Sequence, residues 1–186
     1  MKLRGNLMIT VLLAIVILIL YIRTIGSSSV TQTQELPEDL HPELAYQADI
    51  LIGKAAENGI QVVITDGFRS FQEQENLYAK GRTVAGNVVT NANAGESYHN
   101  FGLAIDFALK TPDGKIIWDM KYDGNKNNQA DWMEVVAVAK ELGFEWGGDW
   151  IGFKDYPHLQ MDFGLSIREL QKGKRPDESL LTVESQ

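Results

Sequence analysis

Two short segments far apart in the chain constrain its fold more than anything else in it. They are Ser97-Tyr98-His99-Asn100-Phe101-Gly102-Leu103-Ala104-Ile105-Asp106 and Asp155-Tyr156-Pro157-His158. Between them they hold two of the three histidines, one carboxylate seven residues after the first imidazole and another three residues before the second. Two neutral imidazoles and one carboxylate suffice for a catalytic zinc, which keeps a fourth position open. The chain has no cysteine, so a zinc site can be built only from His, Asp and Glu. The fold must then bring His158 back beside His99 and Asp106. Gly102 lets the chain bend so that His99 in a loop and Asp106 on a strand can converge. Pro157 forbids a regular helix through the second segment and biases Tyr156 toward extended geometry. The third histidine, His41, sits between Leu40 and Pro42 near a helix start and reads as local rather than ligating.

Zinc hydrolysis needs a water made acidic by the metal, a base for its proton, and help for the developing oxyanion. Asp155, held close to His158 by a tight turn, suits the base. Arg69, in Thr65-Asp66-Gly67-Phe68-Arg69-Ser70, follows a strand and precedes a helix. Its rigid, always-charged fork can hold a substrate carboxylate or stabilise the oxyanion, although a lone arginine is more often a surface ion-pair partner. Trp146, Trp150 and Phe153, at near-helical spacing, read first as core. Glu145 and Asp149 read as solvated loop charges, and Asn91 and Asn93 as turn residues.

Apolar residues at Leu40, Leu44, Ala48, Leu51 and Ala55 predict a helix over residues 36–58, with Glu38 and Asp39 in its first turn and Gly59 at its end. Residues 61–65 form a strand-type run. Ser70, with Glu73 in the capping-box position, opens a helix through residue 80. Residues 82–96, rich in glycine and asparagine, form an irregular loop. Strands follow at 102–109 and 116–118, an amphipathic helix at 130–142, a short strand at 158–161 and a small helix at 166–171. Helices and hairpin-linked strands alternate without a βαβ rhythm, which predicts an α+β fold, one antiparallel sheet carrying the zinc site with flanking helices.

Residues 7–22 carry no charge and follow Lys2 and Arg4. Sixteen residues lie between an export signal and the roughly 20 of a spanning helix. With no Ala-x-Ala site behind them, the expectation is an uncleaved anchor at 7–25 rather than a cleaved signal. Residues 1–6 would stay cytoplasmic and the rest would face outward. A polar linker follows at 26–37, a catalytic domain at 38–170 and a loose tail at 171–186. Without Lys2, Arg4 and Arg23 the exported part holds 14 basic against 25 acidic residues. That balance argues against nucleic acid as a partner. The expected form is a monomer.

Together these residues resemble a known family. Ser97-x-His99-x6-Asp106 with Asp155-x-x-His158 is similar to the zinc D,D- and L,D-peptidases of the D-alanyl-D-alanine carboxypeptidase and dipeptidase family. Phe68-Arg69-Ser70, Leu77-Tyr78-Ala79-x-Gly81-Arg82-Thr83, Val89-Thr90-Asn91-Ala92 and Trp146-Gly147-Gly148-Asp149-Trp150 tighten the likeness to its peptidoglycan L-alanyl-D-glutamate endopeptidases. It spans roughly residues 38–168. The resemblance implies a small α+β domain, hedgehog- and DD-peptidase-like, with one Zn2+ on His99, Asp106 and His158. It implies Asp155 as general base, Arg69 at the substrate near the scissile bond, Ser97 lining the substrate site and Trp150 on the cleft floor. The implied activity is cleavage of the L-Ala-D-Glu bond of peptidoglycan stem peptides. The alternatives are a D-alanyl-D-alanine carboxypeptidase of the same family and a non-catalytic, zinc-containing wall-binding domain. The implied location is the bacterial membrane, with the domain facing the wall, or secretion if the leader is cut.

Overall fold

The computed structural model describes residues 36–176. The anchor or signal expected at 7–25 lies outside the described residues, as does most of the linker and the end of the tail. Among the described residues no helix is long and apolar enough to cross a membrane.

The first helix, α1 (Pro42–Glu57), starts later than its apolar spacing suggests. Proline is favoured in the first helical turn and pushes the residue before it out of helical geometry. His41 therefore becomes the N-cap, its Nδ1 accepting from the Glu43 amide at 3.3 Å. Glu38 and Asp39 consequently precede the helix, and Glu43 is the acid of the first turn. Leu44, Ala48, Leu51 and Ala55 are buried as their spacing requires, and Gly59 leaves the helix at φ +78°.

Helix α2 (Phe71–Ala79) opens with the expected Ser70/Glu73 capping box. Helix α3 (Asp131–Glu141) matches its predicted span to within a residue at either end. The short α4 (Ile167–Gln171) carries a second capping box, Ser166 with Glu169.

Five strands form one antiparallel sheet: β1 (Val62–Asp66), β2 (Ala104–Lys110), β3 (Ile116–Ile117), β4 (Glu145–Trp146) and β5 (His158–Gln160). The order is β1-β2-β5-β4, with β3 also paired to β2. Strand β2 is the spine. β1 lies along one edge, while β5 and β3 share the other, at Ala104 to Asp106 and at Leu109 to Lys110.

Alternation sends Ile105, Phe107, Leu109 and Leu159 into one core with Val62, Trp146 and the buried faces of α1 and α3. Phe107 meets Trp132 of α3 at 4.4 Å between ring centroids. The residues between them, Asp106, His158 and Gln160, share the opposite face, where Asp106 pairs with His158. In β1 a regular strand would place Asp66 on the core side with Ile64. A bulge at Thr65 shifts the register, so Asp66 instead sits opposite Asp106. A second, smaller core gathers Phe101, Leu103 and Leu170 of α4.

Candidate metal centre

His99 enters the site from a 3-10 turn, Tyr98–Phe101, closed by Gly102 in the left-handed region at φ +69°. A side chain at Gly102 is excluded twice over: that φ favours glycine, and a Cβ there would lie 2.3 Å from the Asp39 carbonyl oxygen. Asp106 comes from the middle of β2 and His158 from the first residue of β5.

Their donor atoms form a nearly equilateral triangle. His99 Nε2 and His158 Nδ1 are 3.2 Å apart, and each is 3.4 Å from Asp106 Oδ1. A tetrahedral zinc with bonds of about 2.0–2.1 Å has ligand-to-ligand edges of about 3.3–3.4 Å. The triangle is thus one face of such a tetrahedron.

Proton bookkeeping agrees. His99 Nδ1 lies 2.7 Å from the Gly67 carbonyl oxygen, which can only accept, so that nitrogen carries the hydrogen. His158 Nε2 donates to Gln160 Oε1 at 3.0 Å, and the Gln160 amide is itself oriented by donating to Glu145 at 2.9 Å. Both inward nitrogens are left as bare lone pairs. Asp106 Oδ1 is buried with no hydrogen-bond partner. Three donor atoms converging on one point fit a single zinc ion.

Asp155 is half-buried at the same cleft. Burial first, and then the charge of Asp106, raise its carboxyl above the ordinary value. Its position depends on Gly147. The Asp155 amide donates to the Gly147 carbonyl at 3.2 Å, and a Cβ on Gly147 would lie 2.4 Å from the Asp155 carbonyl oxygen.

Arg69 is fixed from every side. Its amide donates to the His99 carbonyl at 3.0 Å, and its own carbonyl accepts from Asn100 Nδ2 at 2.8 Å. Its guanidinium donates to Asp66 at 2.5 Å and to Gln74 Oε1 at 2.8 Å. Two of its five N–H donors are thereby used at those short contacts.

A cleft of about 640 Å³ joins these groups, lined also by Ser97, Trp150, Phe153, Thr90, Asn91 and Ala92. That size is typical of a ligand site. The sequence expectation of core placement holds for Trp146 alone. Trp150 packs 5.0 Å from the His158 ring and lines the cleft, and Phe153 lines it while half exposed. Glu145 and Asp149 are both exposed, as expected, but Glu145 lies on β4 and orients Gln160, and Asp149 pairs with Lys140 at 2.6 Å. His41 stays out of the site, as expected, against Phe163.

Sequence reasoning missed Gln160, Glu145, Gly67, Gln74 and Gly147. Gln160 had a readable signal, since two residues beyond His158 on a strand means the same face.

Over 135 residues the chain is 63% identical to the peptidoglycan L-alanyl-D-glutamate endopeptidase CwlK of Bacillus subtilis (strain 168), covering 73% of this chain and 81% of that one. The chain belongs to the D-alanyl-D-alanine carboxypeptidase family of peptidases. The sequence model of that family matches residues 90–161, a span that includes His99, Asp106, Asp155 and His158. An L-alanyl-D-glutamate peptidase of Listeria phage A118 is 38% identical over 114 residues, covering 61% of this chain but 34% of its own length. The fold is shared with the L,D-carboxypeptidase LdcB, at a TM-score of 0.51 and 17% identity over 78% of this chain and 82% of that one. It is shared equally with the L,D-carboxypeptidase DacB of Streptococcus pneumonia, at 0.50 and 21% over 77% and 83%.

Proposed function

We propose that this peptidase is a zinc-dependent peptidoglycan hydrolase cleaving the L-alanyl-D-glutamate bond of the stem peptide. The observation that carries the reading is 63% identity, over most of both chains, to an enzyme named for that bond, in a chain whose three-donor face has zinc geometry.

His99, Asp106 and His158 hold the ion. Zinc in that position supplies a Lewis acid and lowers the pKa of bound water to about 7. Asp155 takes the proton of the attacking water on its carboxylate and delivers it to the departing D-glutamate amine. It is half-buried at the same cleft as the three donors, the placement a general base requires. Arg69, permanently charged and locked by Asp66 and Gln74, faces the cleft as a fixed donor for substrate oxygen. Ser97 and Trp150 line the substrate site. Residues 7–25 anchor the chain in the bacterial membrane, so that the domain acts as a monomer on the wall outside.

The test is product identity. The zinc-loaded full-length chain is incubated with a defined muropeptide and the fragments are weighed by mass spectrometry. Expected are a muramoyl-L-alanine fragment and a peptide beginning with D-glutamate. Release of D-alanine alone would replace this reading with the carboxypeptidase one.

A further inference from the structure

Helix α2 presents one fully buried side chain, and it is polar: Gln74, 0% exposed. Burying an amide is unfavourable unless its groups are hydrogen-bonded. Gln74 satisfies both ends of its amide on two different walls of the cleft. Oε1 accepts from Arg69 Nη1 at 2.8 Å, while Nε2 donates to the Ala92 carbonyl at 2.7 Å and lies 3.5 Å from Thr90 Oγ1. Arg69, Thr90 and Ala92 all line the cleft. A leucine would fill the same space without an amide to bury, but would strip a partner from a guanidinium and from a backbone carbonyl.

We infer that Gln74 is a positioning residue for the reaction: one amide locks the Arg69 guanidinium and the 90–92 wall into a single unit. This rests on the peptidase reading of the site. Arg69 is otherwise held at its fork by Asp66 alone, a partner 38% exposed and open to water. The wall segment is tied back to α2 and the loop by Arg82, which donates to the Tyr78 and Thr90 carbonyls, and these contacts are exposed too. Gln74 is the buried link between the two, and its two functions are chemically separable. Glutamate keeps the acceptor for Arg69 but cannot donate to Ala92. Leucine loses both.

The experiment measures kcat and KM for a defined muropeptide in the zinc-loaded full-length chain carrying Gln74→Glu, Gln74→Leu, Arg69→Lys, and Gln74→Leu with Arg69→Lys. Gln74→Glu is expected to raise KM about tenfold with kcat within threefold of wild type. Gln74→Leu is expected to lower kcat/KM roughly 10- to 100-fold, the scale of a lost hydrogen bond to a charged group. The double variant should fall no more than about threefold below the worse single one, because both changes remove the same placement. Kinetics of Gln74→Leu within twofold of wild type, or fully additive effects in the double variant, would overturn the inference. If Gln74→Leu does not fold, Gln74→Glu decides alone, and an equal fall in kcat at unchanged KM counts against it. A wild-type chain inert on every muropeptide fails the peptidase reading and takes this inference with it. An active wild type with an indifferent Gln74 fails the inference only.

Discussion

Adding one methyl group at two glycines should have opposite consequences, and the structure supplies the sizes. At Gly147 the new Cβ would sit 2.4 Å from the Asp155 carbonyl oxygen and 3.1 Å from the Cβ atoms of Asp155 and His158. Ordinary contact needs about a further ångström, and the nearest obstacle is backbone, which cannot swing aside. Gly147→Ala therefore moves the Asp155-to-His158 turn and strains the Asp155 amide bond to the Gly147 carbonyl. Overpacking of this kind costs about 1–3 kcal/mol of stability. A displacement of about 1 Å at a reacting group costs about 100-fold in rate. At Gly53, inside α1 and exposed, nothing lies within 4 Å of the added Cβ. Gly53→Ala removes backbone freedom from the unfolded chain and stabilises the helix by about 0.5–1 kcal/mol. For a domain of this size that raises Tm by a few degrees. Thermal unfolding and muropeptide turnover of both variants are the assays. Gly147→Ala should lose activity out of proportion to its fall in Tm, and Gly53→Ala should gain Tm at unchanged turnover. A Gly147→Ala enzyme with wild-type turnover would refute the close packing that is argued to place Asp155.

Three further outcomes follow from the same geometry. Asp155→Asn should keep its zinc yet lose about 100- to 10,000-fold in kcat, as measured by metal analysis beside product mass spectrometry. Gln160→Leu removes the acceptor that fixes the His158 tautomer and should weaken zinc binding about 10- to 100-fold in chelator competition, with Tm of the zinc-free chain little changed. Glu169, at the start of α4, is pushed down to about 2, first by its hydrogen bond to Lys174 and then by the Ser166 amide and hydroxyl. A depressed carboxylate stabilises the fold above its unfolded value, near 4.5, and that contribution fades as pH falls toward 2. The Tm difference between wild type and Glu169→Gln should therefore shrink from pH 6 to pH 3, and a constant difference would contradict the assignment.

Much of this was legible in the chain because it is written in local pattern. The face of α1 follows from residues three and four apart, and the start of α2 from Ser70 and Glu73. The ligand triangle was legible because histidine is rare here and each donor sits in a distinctive context. What escaped was set by contacts between distant segments. Strand β4 is two residues long, too short for any periodicity, and exists because Glu145 and Trp146 find Gln160 and Leu159. The bulge that turns Asp66 toward the site has no signature in Ile64-Thr65-Asp66. Pro42 set the start of α1 six residues later than the expected start at residue 36. Spacing alone put Trp150 and Phe153 in the core, and only the family resemblance put Trp150 at the cleft, because the sheet's apolar face is filled by α1 and α3. Gln74 carries meaning only once Ala92 and Arg69 stand on either side of it.

Metal binding by His99, Asp106 and His158 can be measured directly. Zinc content and muropeptide cleavage are determined on the full-length chain as purified, after exhaustive chelation, and in Asp106→Ala. The expected result is one zinc per chain in the wild type, cleavage abolished by chelation and restored by zinc, and neither stoichiometric metal nor cleavage in Asp106→Ala. Full cleavage by a metal-free chain, or undiminished zinc binding without the Asp106 carboxylate, would contradict it.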